Sequence, residues 1–219
     1  MSTSNSNNNY LEIYFIAGTQ DVPEGTLPHM LEAALKAGVT CFQYREKGPG
    51  SLGSAKERRA MAEVCQRICA QYRVPFIVND DLELARAIGA DGVHVGQQDR
   101  AIREVLQQFK GKLVGLSCYD EEEISCANQL PHISYYGIGP VFGTISKADA
   151  QPPMGDKRLA RLIQQAAKPC VAIGGISIEN AAQVWRAGPS GLAVISAVTK
   201  APSVEDAVAL LKQSKTSEG

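Results

Sequence analysis

Short apolar runs alternate with longer segments in which apolar residues recur every three or four positions, and this continues along nearly the whole chain. Eight runs read as strands: IYFIA (13–17), TCFQYR (40–45), FIVN (76–79), DGVHV (91–95), LVGLS (113–117), YYGIGPVF (135–142), CVAIGG (170–175) and LAVIS (192–196). They are β-branched and apolar on both faces, as parallel strands covered by helices should be. The intervening segments at 27–36, 54–72, 80–88, 100–109, 121–129, 157–167, 178–187 and 204–211 have helical length or an apolar stripe. Gly38, Gly89, Gly111 and Gly188 stand where helices end and a left-handed cap is wanted.

Eight strand–helix pairs in regular succession predict a single-domain α/β protein, a (β/α)8 TIM barrel over residues 11–213. An open doubly wound sheet is the other arrangement of such units. However, AGTQD stands after the first strand where a glycine-rich dinucleotide fingerprint belongs. No Pro/Ser linker divides the chain. The Asn/Ser-rich residues 1–10 are expected to be a disordered polar tail, and residues 214–219 a flexible one.

Composition narrows the class. Apolar residues make up 44% and charged residues 21%, the balance of a soluble globular protein. A formal charge of −1 with no Lys/Arg stripe gives no reason to expect a nucleic-acid partner. No apolar run approaches the roughly 20 residues of a spanning helix, so no membrane association is expected. The start, MSTSNSNNNY, lacks the charged and apolar regions of a secretory signal. Six cysteines occur without a C-x-x-C pair, and several sit in apolar runs, so neither a disulfide framework nor a metal cluster is expected and the cytoplasm is the default compartment. His29, His94 and His132 are isolated along the chain and form no ligand spacing.

In a barrel, chemistry gathers at the C-terminal ends of the strands. Polar residues collect at those places. After strand 2, Gln43, Arg45 and Lys47 alternate, which puts them on one face of an extended segment. Cations gathered there call for an anion, or for a salt bridge from Arg45 or Lys47 to Glu46. Strand 3 ends in Asn79, Asp80 and Asp81, and Asp99 follows strand 4. Asp80 and Asp99, with waters and a phosphate oxygen, would suit Mg²⁺, while Asp80 or Asp81 would cap the next helix. Strand 5 ends at Ser117. Strand 6 breaks into Gly143, Thr144, Ser146 and Lys147, small donors with one cation. Gly174-Gly175 and Ile195-Ser196 close strands 7 and 8, where barrels often hold a phosphate. The inventory suits one diphosphate and one phosphate ligand, and offers no Ser/His/Asp constellation and no zinc site.

The segments QYREK, ND, HVGQQD, GLS, GIGPVFGTISK, PPMG, AIGGIS and VISA, in order and spacing, resemble the thiamine-phosphate synthase family from about Tyr14 to Leu211. The resemblance implies an enzyme, a transferase condensing 4-amino-2-methyl-5-hydroxymethylpyrimidine diphosphate with a hydroxyethyl-thiazole phosphate to give thiamine phosphate and pyrophosphate. By that similarity Gln43 and Ser117 contact the pyrimidine, and Arg45, Lys47, Asn79 and Lys147 hold the diphosphate. Asp80 and Asp99 become the Mg²⁺ ligands. Thr144, Ser146, Gly175, Ile195 and Ser196 line the thiazole phosphate site, and Tyr44, Glu46 and Ile145 join the substrate-contacting set. Arg45, Lys47, Lys147 and Ser117 are the catalytic candidates. The partners implied are the two phosphorylated small molecules; a homo-oligomer is compatible with the chain.

The chain departs from the family pattern in places. Gly143 stands for a frequent Pro, Ser146 for a common Thr and Tyr44 for an aliphatic residue, and Gly18-Thr19-Gln20-Asp21 also varies. The thiazole tautomerase branch of the same fold is expected to carry a His just after the strand 5 serine, where this chain has Cys118-Tyr119-Asp120. A non-catalytic phosphate-binding barrel explains the anion loops but not a carboxylate pair facing three cations. A phosphosugar isomerase would want a Glu/His couple at strand ends.

Overall fold

The computed structural model describes residues 9–97, 102–143 and 151–216. Eight parallel strands close into a barrel in sequence order: β1 (Ile13–Ala17), β2 (Cys41–Tyr44), β3 (Phe76–Asn79), β4 (Gly92–Val95), β5 (Leu113–Cys118), β6 (Tyr135–Ile138), β7 (Cys170–Ile173) and β8 (Gly191–Val194). The ring is completed by β8 against β1, with Tyr14 opposite Ala193. Around it run α1 (Leu27–Ala37), α2 (Ala55–Gln71), α3 (Leu82–Ile88), α4 (Ile102–Gln108), α5 (Glu121–Asn128), α6 (Gly155–Gln165), α7 (Ala181–Arg186), α8 (Ser196–Thr199) and α9 (Val204–Gln213). The four-residue α8 and a short 3-10 turn at Thr19–Asp21 were not expected from periodicity, because neither is long enough to show one.

Strand ends moved by a few residues for physical reasons. The apolar run 135–142 predicts a strand through Phe142, but β6 stops at Ile138, ahead of Pro140, which has no N–H to donate. Val141 and Phe142 still donate to Ile173 and Gly174 at 2.9 and 3.0 Å, so the two loops remain tied together. Gly38 and Gly89 cap α1 and α3 with φ of 105° and 64°, the left-handed geometry expected of them.

Period-two alternation divides the apolar residues between two cores. Phe15, Phe42, Phe76, Val93, Val114, Tyr136 and Leu192 face outward under the helices. Tyr14, Ile16, Cys41, Ile77, Tyr135, Val171 and Ala193 fill the lumen. The outer layer includes aromatic rings in series, Phe15 to Phe42 at 5.5 Å and Phe42 to Phe76 at 6.0 Å. The lumen therefore contains tyrosines and a polar residue in addition to aliphatics, and Gln43 is only 2% exposed there.

Candidate active site

A cavity of about 690 Å³ opens at the C-terminal ends of the strands. Its wall includes Gln43, Arg45 and Lys47 from β2 and its loop, Asn79 and Asp80 after β3, His94 on β4 and Ser117 on β5. Gly174, Gly175, Ile195 and Ser196 complete it from the loops after β7 and β8. The alternation expected of Gln43, Arg45 and Lys47 is what the backbone delivers. By the same period, Tyr44 and Glu46 are on the opposite side.

The side chains of Tyr44 and Glu46 are engaged within the protein. The Tyr44 ring stacks on Phe76 at 6.3 Å and its hydroxyl donates to the Arg58 carbonyl at 3.3 Å, under the helices. Glu46 accepts from the backbone N–H groups of Thr19 at 3.0 Å and Leu52 at 2.7 Å, and from the Thr19 hydroxyl. Its carboxylate clamps the loops after β1 and β2, and neither Arg45 nor Lys47 is its salt-bridge partner. Gln20 adds to that clamp by donating to the Arg45 carbonyl at 2.8 Å.

Lys47 pairs instead with Asp80, Nζ to Oδ2 at 2.9 Å. Asp80 and Asp81 divide two tasks. Asp81 accepts from the Leu84 N–H at 2.9 Å and caps α3. Asp80 lines the cavity with φ of 57°, a left-handed conformation uncommon outside glycine, and its N–H is held by the His94 carbonyl at 3.0 Å. A strained residue at the end of a barrel strand is a common mark of function.

Residue spacing alone left His94 isolated. In the fold it is one member of a polar series across the lumen. Gln43 Nε2 donates to Tyr14 Oη at 2.9 Å, and Tyr14 Oη lies 2.6 Å from Tyr135 Oη. Tyr135 Oη lies 3.1 Å from His94 Nδ1, and His94 Nε2 lies 3.0 Å from Ser117 Oγ. Burial pushes the Tyr14 and Tyr135 phenols well above their ordinary pKa. The signal was present in DGVHV: period two places His94 on the same inward face as Gly92.

On the other side of the mouth, Gly174 and Gly175 have φ of 100° and 62°. A Cβ on Gly174 would collide with Pro140, and one on Gly175 with the Gly143 carbonyl and Phe142. Two glycines are therefore required to press the β7 loop against the β6 loop. Met154 and Gly155 donate to the carbonyls of Pro140 and Val141, each at 2.9 Å, and anchor the far end of that loop. Ser196 opens α8, whose first N–H groups have no carbonyl within the helix to bond. Asp99, Thr144, Ile145, Ser146 and Lys147 lie outside the described residues.

A second hollow of about 520 Å³ lies at the other end of the barrel. Lys215, on its wall, is held by Glu12 at 2.6 Å and sits over the Trp185 ring at 5.1 Å. That end of a barrel serves stability rather than catalysis.

The model of the family described as thiamine monophosphate synthase matches residues 13–198. The chain belongs to that family. It is 53% identical over 207 residues to the thiamine-phosphate synthase of Listeria monocytogenes serotype 4a (strain HCC23), covering 94% of this chain and 95% of the relative. The thiamine-phosphate synthase of Listeria innocua serovar 6a matches with the same identity and coverage. In structure it is similar to a thiamine phosphate pyrophosphorylase from Pyrococcus furiosus, with a TM-score of 0.84 and 31% identity over 95% of this chain and 96% of the other. As a member of the thiamine monophosphate synthase family the chain is a transferase acting on small molecules. The family match spans all eight strands of the barrel and every described residue of the cavity wall named above.

Proposed function

We propose that this chain joins the aminopyrimidine diphosphate to the thiazole phosphate at the mouth of the barrel, releasing pyrophosphate. The observation that carries the reading is one cavity in which cations, carboxylate and amide from β2 and β3 face glycine and serine loops after β7 and β8. Arg45 and Lys47 would hold the diphosphate with Asn79 and Lys147. Gly175, Ile195 and Ser196 would take the thiazole phosphate with Thr144, Ser146 and Ile145. Gln43 and Ser117 would hold the pyrimidine between the two.

The substrate C–O bond breaks first, and its electron pair leaves with pyrophosphate. The electron-rich aminopyrimidine stabilises the resulting cationic methylene, and the lone pair of the thiazole nitrogen then forms the new C–N bond. No proton has to be removed from a tertiary ring nitrogen, so a general base is not needed. Arg45, Lys47 and Lys147 act by placing positive charge where the leaving oxygen becomes negative.

Asp80, with Asp99, would hold Mg²⁺. Asp80 contributes a hard carboxylate oxygen on the cavity wall and already holds a cation, the Lys47 ammonium. Among the described residues no three His, Cys, Asp or Glu side chains gather into a cage. Mg²⁺ keeps several of its waters and takes one or two carboxylates plus substrate oxygens, which Asp80 and Asp99 would supply. When bound, the ion would neutralise diphosphate charge as pyrophosphate departs.

Among the described residues no helix is long and apolar enough to cross a membrane. All six cysteines are unpaired, five of them buried, which supports a reducing cytoplasm. The deciding experiment mixes purified protein with both substrates, with and without Mg²⁺, and looks for thiamine phosphate. Product that disappears on chelation and returns with the metal supports the reading. No product under any condition leaves a phosphate-binding barrel.

A further inference from the structure

Gln43 and Ser117 stand on β2 and β5, yet they are the two ends of one hydrogen-bonded series. It runs through Tyr14 on β1, Tyr135 on β6 and His94 on β4, with steps of 2.9, 2.6, 3.1 and 3.0 Å. The rings are packed as well as bonded: Tyr14 to Tyr135 and Tyr135 to His94 each have centroids 5.6 Å apart. Room for the pair is made by Gly115, where a Cβ would collide with the Tyr135 hydroxyl and His94 Nδ1. None of these three ring residues is needed by the reaction steps above.

The series has a direction. An amide nitrogen donates and cannot accept, so Tyr14 takes the Gln43 Nε2 bond as acceptor and its own proton is available to Tyr135 Oη, 2.6 Å away. If Tyr135 donates that bond on to His94 Nδ1, 3.1 Å away, the imidazole proton lies on Nε2, the tautomer that neutral histidine favours. Nε2 donates to Ser117 Oγ, and the Ser117 proton is left to point onward. The buried phenols keep their protons, so the order does not collapse by ionisation. At one end the amide presents its oxygen, an acceptor; at the other the serine presents a donor.

We propose that Tyr14, Tyr135 and His94 form a one-directional relay that fixes Gln43 as acceptor and Ser117 as donor, and so makes the site select a 4-amino pyrimidine over its 4-oxo counterpart. An amino group beside an unprotonated ring nitrogen offers the matching donor and acceptor. The oxo form, with a protonated ring nitrogen, offers them reversed. Buried polar groups facing reversed partners discriminate strongly, which is how hydrogen-bonding sites reject near-isosteric ligands. The three ring residues are positioning residues: they act through Gln43 and Ser117. This rests on the reading that the pyrimidine lies between those two residues.

The test compares kcat/KM for the 4-amino and 4-oxo pyrimidine diphosphates in the native enzyme and in Tyr135→Phe. The variant keeps the ring and removes the link. The expected result is a loss of roughly 10- to 100-fold on the amino substrate, little change on the oxo substrate, and an unchanged KM for the thiazole phosphate. The amino-to-oxo ratio thus falls by the same factor. An equal loss on both substrates, leaving the ratio as it was, marks a structural role and overturns the relay. Tyr136→Phe, which removes an outward-facing hydroxyl bonded to Asn128 at 3.0 Å, serves as the control and should leave the ratio unchanged. If the native enzyme makes no thiamine phosphate, the functional reading falls and takes the relay with it.

A second measurement needs no substrate. Nitrogen NMR of the free protein, with the His94 signals assigned by their loss in His94→Gln, should show Nδ1 unprotonated and Nε2 protonated. The opposite pattern reverses the series and overturns the proposal.

Discussion

Lys47 and Asp80 are 33 positions apart in the chain, on the loops after β2 and β3, and their charged atoms meet at 2.9 Å on the rim of the cavity. Both side chains are well exposed, 57% and 38%, so the pair contributes at most about 1 kcal/mol to stability. What it does is hold a cation and a carboxylate side by side where a diphosphate and a metal ion would meet. Asp80→Ala should therefore leave the melting temperature within a few degrees of native. It should also lower kcat by roughly 10²-fold or more and raise the Mg²⁺ concentration needed for half-maximal rate. Native turnover with a native metal requirement would remove Asp80 from the metal site.

Asp81 should give the converse result. Its carboxylate is spent on the α3 cap, so Asp81→Ala should lose about 1 kcal/mol in urea unfolding while kcat stays within twofold of native. A large rate loss with unchanged stability would mean that the two neighbouring aspartates had been assigned the wrong way round.

Lys147 is assigned to the departing diphosphate on resemblance. Lys147→Ala should then lower kcat far more than it weakens binding of the thiazole phosphate. Steady-state kinetics that show equal losses in both would move the lysine to the other subsite.

Gly175 combines a φ of 62° with a backbone carbonyl and Phe142 where a side chain would go. Gly175→Ala should cost about 1–3 kcal/mol and raise the KM for the thiazole phosphate, since the β7 loop must lift away from the β6 loop. A calorimetric scan and a KM both matching native would show that the loop junction yields freely.

Alkaline stability follows from the buried thiols and phenols. Burial pushes Cys65, Cys118 and Cys170 up to about 12, and Cys41, Tyr14 and Tyr135 well above their ordinary values. Above about pH 9 the unfolded chain gives up protons that the native chain keeps, so it binds fewer and unfolding becomes easier as pH rises. The urea midpoint should hold up to about pH 9 and fall from there towards pH 12. In native protein at pH 8 a thiol reagent should react quickly with Cys126 alone, the one exposed cysteine, and with all six in urea. A level midpoint across that range, or rapid reaction of several native thiols, would contradict the burial of these groups.

Much of the site could be read in one dimension because its geometry is local. Gln43, Arg45 and Lys47 share a face by the two-residue period of a strand, and residues at strand ends share a mouth once the strands are parallel and close. The same period puts the Tyr44 and Glu46 side chains on the alternate face of that segment, where they bond to the Arg58 carbonyl and to Thr19 and Leu52. It also placed His94 inward, but spacing along the chain showed no partner for it. Its partners Tyr135 and Ser117 are 41 and 23 positions away.

Local pattern thus determined the number and kind of elements, the order of the barrel and the face on which most of the candidate residues lie, because periodicity and turn chemistry act over a few residues. Tertiary closure decided the pairings: Lys47 with Asp80 rather than Glu46, Glu46 with Thr19 and Leu52, Asp81 rather than Asp80 on the helix end, and the lumen series from Gln43 to Ser117. Each depends on distances between strands far apart in the chain. Those distances are set only when the ring of eight strands is complete and the lumen volume left by residues such as Gly115 has been filled.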